Sequence, residues 1–181
     1  MELRTVRHKK IHRRQETLRW LSGSVFALVL VLIVVLGWFS PVYIADPSME
    51  DTLLTGETVF YDRLYKHFYP LQRGDMVAFR DPISGELLIK RIVALEGESI
   101  EMRSGLLVVD GKYALAESGY TTNRSDLTMA PVKVPQASVF VLSDDRNYGE
   151  DSRDADIGCL SINEILGVVR FRIDRPAFFT H

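Results

Sequence analysis

The sequence predicts a mainly β protein, with antiparallel sheets coiled into a barrel-like domain and one transmembrane helix ahead of it at the N-terminus. Three observations carry this: a long uncharged run directly after a basic N-terminus, six later segments of period-two hydrophobicity, and turn residues between those segments. No segment after residue 40 shows a long amphipathic helical repeat. Coiling the sheets hides edges that would otherwise pair with other chains.

The expected organisation of the 181 residues is a basic cytoplasmic segment 1–19, an anchor helix 20–39 and an extracytoplasmic domain 40–181. Residues 1–19 hold Arg4, Arg7, Lys9, Lys10, Arg13, Arg14 and Arg19 against Glu2 and Glu16, a net charge of +5. The whole chain carries 22 basic and 24 acidic residues, which leaves the remainder at −7. A basic arm beside a long apolar run marks the cytoplasmic flank of a membrane helix. The acidic remainder argues against nucleic acid as a partner.

Trp20 to Ala45 contains no charged residue, and Leu21 to Phe39 gives 19 nearly continuous apolar positions. At a rise of ~1.5 Å per residue such a helix crosses a hydrocarbon core of ~30 Å. Trp20 and Trp38 flank it where indole rings favour the interface. A cleaved leader would have an apolar stretch of about 7–15 residues and a small residue three before the cut. Here the run is longer, and Tyr43 fills that place if Ala45 is the cleaved residue. The reading is a single-pass anchor in a lipid bilayer, N-terminus inside and the domain outside.

Beyond the anchor, ETVFYDRLY, GDMVAF, ELLIKRIVAL, SIEMRSGLLVVDGK, ASVFVLSDD and EILGVVRFRI read as strands, punctuated by RDP, EGE, VDG and DRNYG. Tyr113 to Pro135 reads as a polar loop or hairpin excursion. Phe68, Tyr69, Pro70 and Leu71 are expected in the core rather than against lipid. Cys159 is the only cysteine, so no internal disulfide forms, and His8, His12, His67 and His181 show no ligand spacing. Neither a metal nor an organic cofactor is expected.

The chemistry centres on Ser48, in ADPSMEDTL. It stands nine residues after Phe39, which keeps it within about 30 Å of the membrane surface. A serine hydroxyl needs a base to become a nucleophile, and no histidine lies in a suitable context. A lysine made neutral by burial is the other choice. Lys90 is the candidate, because strand alternation in LLIKRIVAL places Leu88 and Ile92 on its face. Periodicity leaves open a Lys90 that extends its amine to water over the core.

VLSDDRNYGEDSRDADIG packs Asp144, Asp145, Arg146, Glu150, Asp151, Ser152, Arg153, Asp154 and Asp156 into one turn region. It reads as a structural support held by ion pairs. A solvated acidic loop is the second reading and calcium binding the third, since the spacing departs from the calcium-loop pattern.

Taken in order behind an anchor, PSMEDTL, GDMVAF, IKRIVALEG and SDDRNYGEDSR resemble the motifs of type I signal peptidases, membrane-bound Ser/Lys proteases. The short spacing between the last two is similar to the compact, Gram-positive form. The resemblance implies that Ser48 attacks the scissile carbonyl, that neutral Lys90 takes its proton, and that the Ser48 backbone N–H binds the oxyanion. It also implies that Arg91 pairs with Asp144 and Asp151 with Arg153, with Arg146 and Ser152 supporting the site. The substrates would be signal-peptide-bearing preproteins on the outer face of a bacterial cytoplasmic membrane, with the secretion machinery as a further partner.

The chain also departs from the family pattern. Asp46 stands where some members have an oxyanion-binding serine, so its carboxylate is expected to face away. Asp51 replaces a proline, Ser143 a glycine, Asp145 an asparagine, and Gly149 a serine that contacts the lysine amine. A soluble self-cleaving repressor protease is opposed by the anchor. A catalytically silent tethered factor for surface-fibre assembly is expected to have lost Ser48 or Lys90, and both are present.

Overall fold

Proline sets the end of the first helix. In the computed structural model, which describes residues 2–50, 52–113 and 128–173, helix α1 runs Glu2–Trp38, with its side chains described at 19–35, 37 and 38. Pro41 forces the residue before it out of the helical region, so the chain leaves as strand β1, Phe39–Tyr43. The helix thus ends one residue before the expected boundary at 39. Side chains 19–35 are all exposed. Over the described side chains alone, whose longest unbroken helical run is that stretch, no helix is long and apolar enough to cross a membrane.

The chain forms two compact units, Met1–Phe39 and Ser40–His181. The second is built from β2 (Thr58–Asp62), β3 (Met76–Arg80), β4 (Leu87–Ala94), β5 (Ser99–Arg103), β6 (Leu106–Val109), β7 (Lys112–Tyr113), β8 (Met129–Lys133), β9 (Ser138–Leu142), β10 (Leu160–Ser161) and β11 (Gly167–Ile173). A seven-stranded sheet has the order β1-β2-β11-β3-β4-β9-β10, and a four-stranded sheet the order β7-β6-β5-β8. From β2 to β10 every neighbouring pair is antiparallel, as it is throughout the smaller sheet. The only other helix among the described residues of this unit, besides one 3-10 turn, is α2, Tyr65–Phe68.

Each of the six expected strand segments contains a strand. SIEMRSGLLVVDGK holds three, because Ser104-Gly105 and Asp110-Gly111 both take positive φ and close two-residue hairpins. β8 lies in the segment read as a polar excursion; its Pro131 suits the sheet edge it occupies. Residues 114–127 of that excursion lie outside the described residues.

Three buried clusters hold the domain. Val42, Ile44, Met49, Leu53, Val59 and Ile89 form the one beside the serine. Val77, Phe79, Ile92, Val141, Leu160 and Ile165 form the second, while Val93, Ile100, Met102, Phe140 and Leu142 join the two sheets. Leu88 and Ile92 pack in a different cluster from Ile89, as alternation along β4 requires. Phe68 and Tyr69 are 68% and 60% exposed, so the expected core placement fails for them; only Leu71 packs inward. Phe68 ends α2, a single turn with no buried residue, and the chain turns extended at Tyr69 before Leu71 reaches the second cluster.

Candidate active site

Ser48 sits in the one-turn 3-10 helix Pro47–Met49. Pro47 presets the backbone at its first position, and Asp46 caps it by accepting the Ser48 backbone N–H at 3.0 Å. Met49 and Leu53, 2% and 1% exposed, pin the segment into the first cluster. Burying each is worth ~1.5–3 kcal/mol, which holds the serine backbone in place. The Ser48 carbonyl accepts the Asp145 N–H at 2.9 Å, tying the Ser48 segment to the acidic loop.

Lys90 comes from the middle of β4, opposite Val77 of β3. It is fully buried, and its Nζ lies 2.6 Å from Ser48 Oγ, itself 2% exposed. The lysine therefore does not extend to water. Burial pushes the Lys90 pKa down, and the charges of Asp46, Asp151 and Glu150 only partly oppose this. An amine whose pKa is lowered and which is held against a serine hydroxyl has the geometry of a general base beside its nucleophile.

Asp46 is a correction. Its carboxylate turns into the site rather than away: Oδ1 takes the Ser48 N–H, and Oδ2 lies 3.6 Å from Lys90 Nζ. The backbone donor assigned to the oxyanion is thus occupied by a carboxylate. The cause is local, since an aspartate just before a proline-started turn is an N-cap. Burial raises its pKa, but the hydrogen bonds from Ser48 and the Lys90 charge outweigh that, leaving it below the usual value.

Asp144 and Asp151 of the acidic loop are buried and paired, whereas Glu150, Asp154 and Asp156 are exposed to solvent. Asp144 receives Arg91 Nε at 2.8 Å and Nη2 at 2.6 Å, while its side chain is 0% exposed. Asp151, equally buried, receives Arg153 Nε at 2.8 Å and Nη2 at 2.7 Å, and also the Ser143 N–H at 3.0 Å. Arg153 Nη1 reaches the Arg146 carbonyl at 2.7 Å, and Arg146 itself is buried. Ser152 exchanges two bonds with Val141, its Oγ accepting at 2.9 Å and its N–H donating at 3.0 Å, which extends the β9 edge. Among the described residues no cluster of histidine, cysteine or carboxylates suits a metal.

Thr52 is the residue that sequence reasoning missed. Its Oγ1 donates to Asp144 Oδ2 at 2.6 Å and accepts from Arg91 Nη2 at 3.1 Å, binding the Ser48 segment to the first ion pair. The available signal was a hydroxyl between the inward residues Met49 and Leu53.

Gly149 takes φ +84° and lies against Ser48 and Lys90: a Cβ there would be 2.5 Å from Ser48 Cβ and 3.0 Å from Lys90 Nζ. Beside it runs a groove of about 480 Å³ between residues 42–46 and 86–89, with Ser48 and Glu150 also in its wall. β4 is paired with β3 from Leu87 to Arg91, but its pairing with β9 begins only at Arg91. Residues 87–89 thus border the groove, on a stretch of β4 that β9 does not cover.

The family model "Signal peptidase, peptidase S26" matches residues 17–173. The chain belongs to the signal peptidase I family. It is 31% identical over 178 residues to signal peptidase I P of Bacillus subtilis subsp. natto, covering 92% of this chain and 96% of that one. To the probable signal peptidase I-1 of Synechocystis sp. it is 33% identical over 154 residues, 81% of this chain and 76% of the relative. A crystal structure of a signal peptidase I from Enterococcus faecalis V583 is 26% identical, with a TM-score of 0.48 over 56% of this chain and 98% of that one. Membership of this family makes the chain a serine endopeptidase, an assignment that rests on the sequence matches.

Proposed function

We propose that the chain removes signal peptides from exported preproteins with Ser48 as nucleophile and Lys90 as general base. The observation that carries this is the buried 2.6 Å contact between Lys90 Nζ and Ser48 Oγ at the end of an open groove. The preprotein enters as an extended strand along the uncovered edge of residues 87–89, its backbone bonding to the sheet. Lys90 takes the proton of Ser48 Oγ as the oxygen bonds to the scissile carbonyl carbon, and that proton then passes to the leaving amine. Water hydrolyses the resulting acyl-enzyme. Binding of the oxyanion by the Ser48 N–H requires the substrate carbonyl to displace Asp46.

The uncharged sequence from Trp20 to Trp38, with its basic flank, supports an anchor crossing the bacterial cytoplasmic membrane once, N-terminus inside. Exposed Phe68 and Tyr69 favour a domain that rests on the outer lipid surface. The test is to incubate detergent-purified full-length protein with a preprotein and sequence the new N-terminus. Cleavage after the signal peptide that disappears in Ser48→Ala is the expected result. Intact preprotein with the wild-type chain would favour a silent assembly factor.

A further inference from the structure

Ser143 follows directly on β9 and is fully buried, yet its Oγ has no hydrogen-bond partner. Its backbone is not free to drift, because its N–H donates to the carboxylate of Asp151 that Arg153 clamps. A buried hydroxyl with nothing to bond disfavours folding, so its presence asks for a use.

The space it faces is the one left by Gly149. The point where a Cβ of residue 149 would sit is 3.0 Å from Lys90 Nζ and 3.1 Å from Ser143 Oγ. That position cannot itself supply a side chain, being at φ +84° with Ser48 Cβ only 2.5 Å from the same point. The amine and the hydroxyl, carried by different segments, thus converge on one point beside Gly149.

The reaction creates a need there. Once Lys90 has taken the Ser48 proton it is an ammonium with three N–H donors in a site with no solvent exposure. Among the described residues, Ser48 Oγ is its one hydrogen-bond partner, and Asp46 Oδ2 at 3.6 Å is a second acceptor within reach. A third is wanting.

We propose that Ser143 is the positioning residue of the dyad, its hydroxyl accepting the third N–H of Lys90 when the lysine is protonated. This rests on the Ser48–Lys90 reading given above. No bond is made or broken at Ser143: the proton travels from Ser48 Oγ to Lys90 Nζ and on to the leaving amine, while Ser143 Oγ holds the ammonium in line.

The test uses the full chain in detergent micelles with a preprotein substrate. Ser143→Ala should lower kcat about ten- to a hundredfold with KM unchanged. The rising limb of its kcat–pH profile should move to lower pH, since loss of an acceptor disfavours the charged lysine. Its Tm should equal or exceed that of the wild type, because an unbonded buried hydroxyl is gone. Ser143→Cys, which fills the space with a weaker acceptor, should reproduce the kinetic loss and guards against a packing artefact. Full kcat with an unmoved profile in either folded variant overturns the proposal and leaves Ser143 a packing residue. An inactive wild type, or cleavage that survives Ser48→Ala, overturns the dyad and this role together.

Discussion

The Asp46 carboxylate accepts the Ser48 backbone N–H at 3.0 Å and stands 3.6 Å from Lys90 Nζ, so one negative group pairs with both residues of the proposed dyad. In the proposed mechanism both contacts oppose catalysis. The carboxylate covers a donor that an oxyanion would use, and its charge favours the ammonium form of Lys90.

Replacing that charge while keeping the shape isolates the electrostatic part. Asp46→Asn leaves an oxygen to cap the turn, and Asp151 and Glu150 remain as the other charges acting on Lys90. The Lys90 pKa should fall, moving the rising limb of the kcat/KM–pH profile to lower pH while the high-pH plateau stays equal or higher. A limb shifted upward would refute the pairing.

Lys90 itself should weaken the fold at neutral pH. Burial holds its pKa below the usual lysine value, so the unfolded chain binds the proton more readily than the folded one. The cost to folding is full below the folded-state pKa and disappears as pH rises past the unfolded value of ~10.4. Lys90→Met should therefore raise Tm at pH 7, with a gain that shrinks toward pH 10. Equal Tm values for the two proteins at pH 7 would mean that the nearby carboxylates cancel the cost of burial.

The burial of Lys90 was legible in part, since alternation placed Leu88 and Ile92 beside it, but the choice between core and water depended on β3 and the serine segment packing over β4. Such contacts are long-range and leave no local trace. The two ion pairs came from the family resemblance, because density of opposite charge says nothing about partners. Repulsion of an oxyanion predicts an Asp46 that faces away, but the aspartate–proline pair is a capping signal in its own right and turns the carboxylate onto the Ser48 N–H. Two-residue β10 is too short to show a period, and β1 was hidden by the apolar run that it terminates.

The two ion pairs should prove structural as well as functional. Asp144 and Asp151 are buried while their arginine side chains are 12% and 18% exposed, so removing a carboxylate strands a partly buried cation. Asp144→Asn and Asp151→Asn should each cost about 3 kcal/mol, the low end for a broken buried pair, which lowers Tm by roughly 6–12 °C for a chain of this size. Melting followed by circular dichroism checks it. Unchanged melting in both would return the acidic loop to a solvated surface feature.

Gly149 offers the sharpest separation of stability from activity. Gly149→Ala meets two penalties: a left-handed backbone at φ +84°, worth ~1–2 kcal/mol, and a Cβ 2.5 Å from Ser48 Cβ. The serine segment cannot yield easily, held by buried Met49 and Leu53 and by the Asp145 N–H on its carbonyl. The overlap is then relieved by parting Ser48 from Lys90, and displacement by about 1 Å is enough to cost ~100-fold in rate. Gly111 is the control, since it has a similar φ of +73° but nothing within 4 Å of its Cβ position. Gly111→Ala should lower Tm by a few degrees through backbone strain alone and leave kcat intact, whereas Gly149→Ala should lower Tm and reduce kcat by about two orders of magnitude. Equal kcat in the two variants would mean that Gly149 is an ordinary turn glycine and that the dyad tolerates a side chain above it.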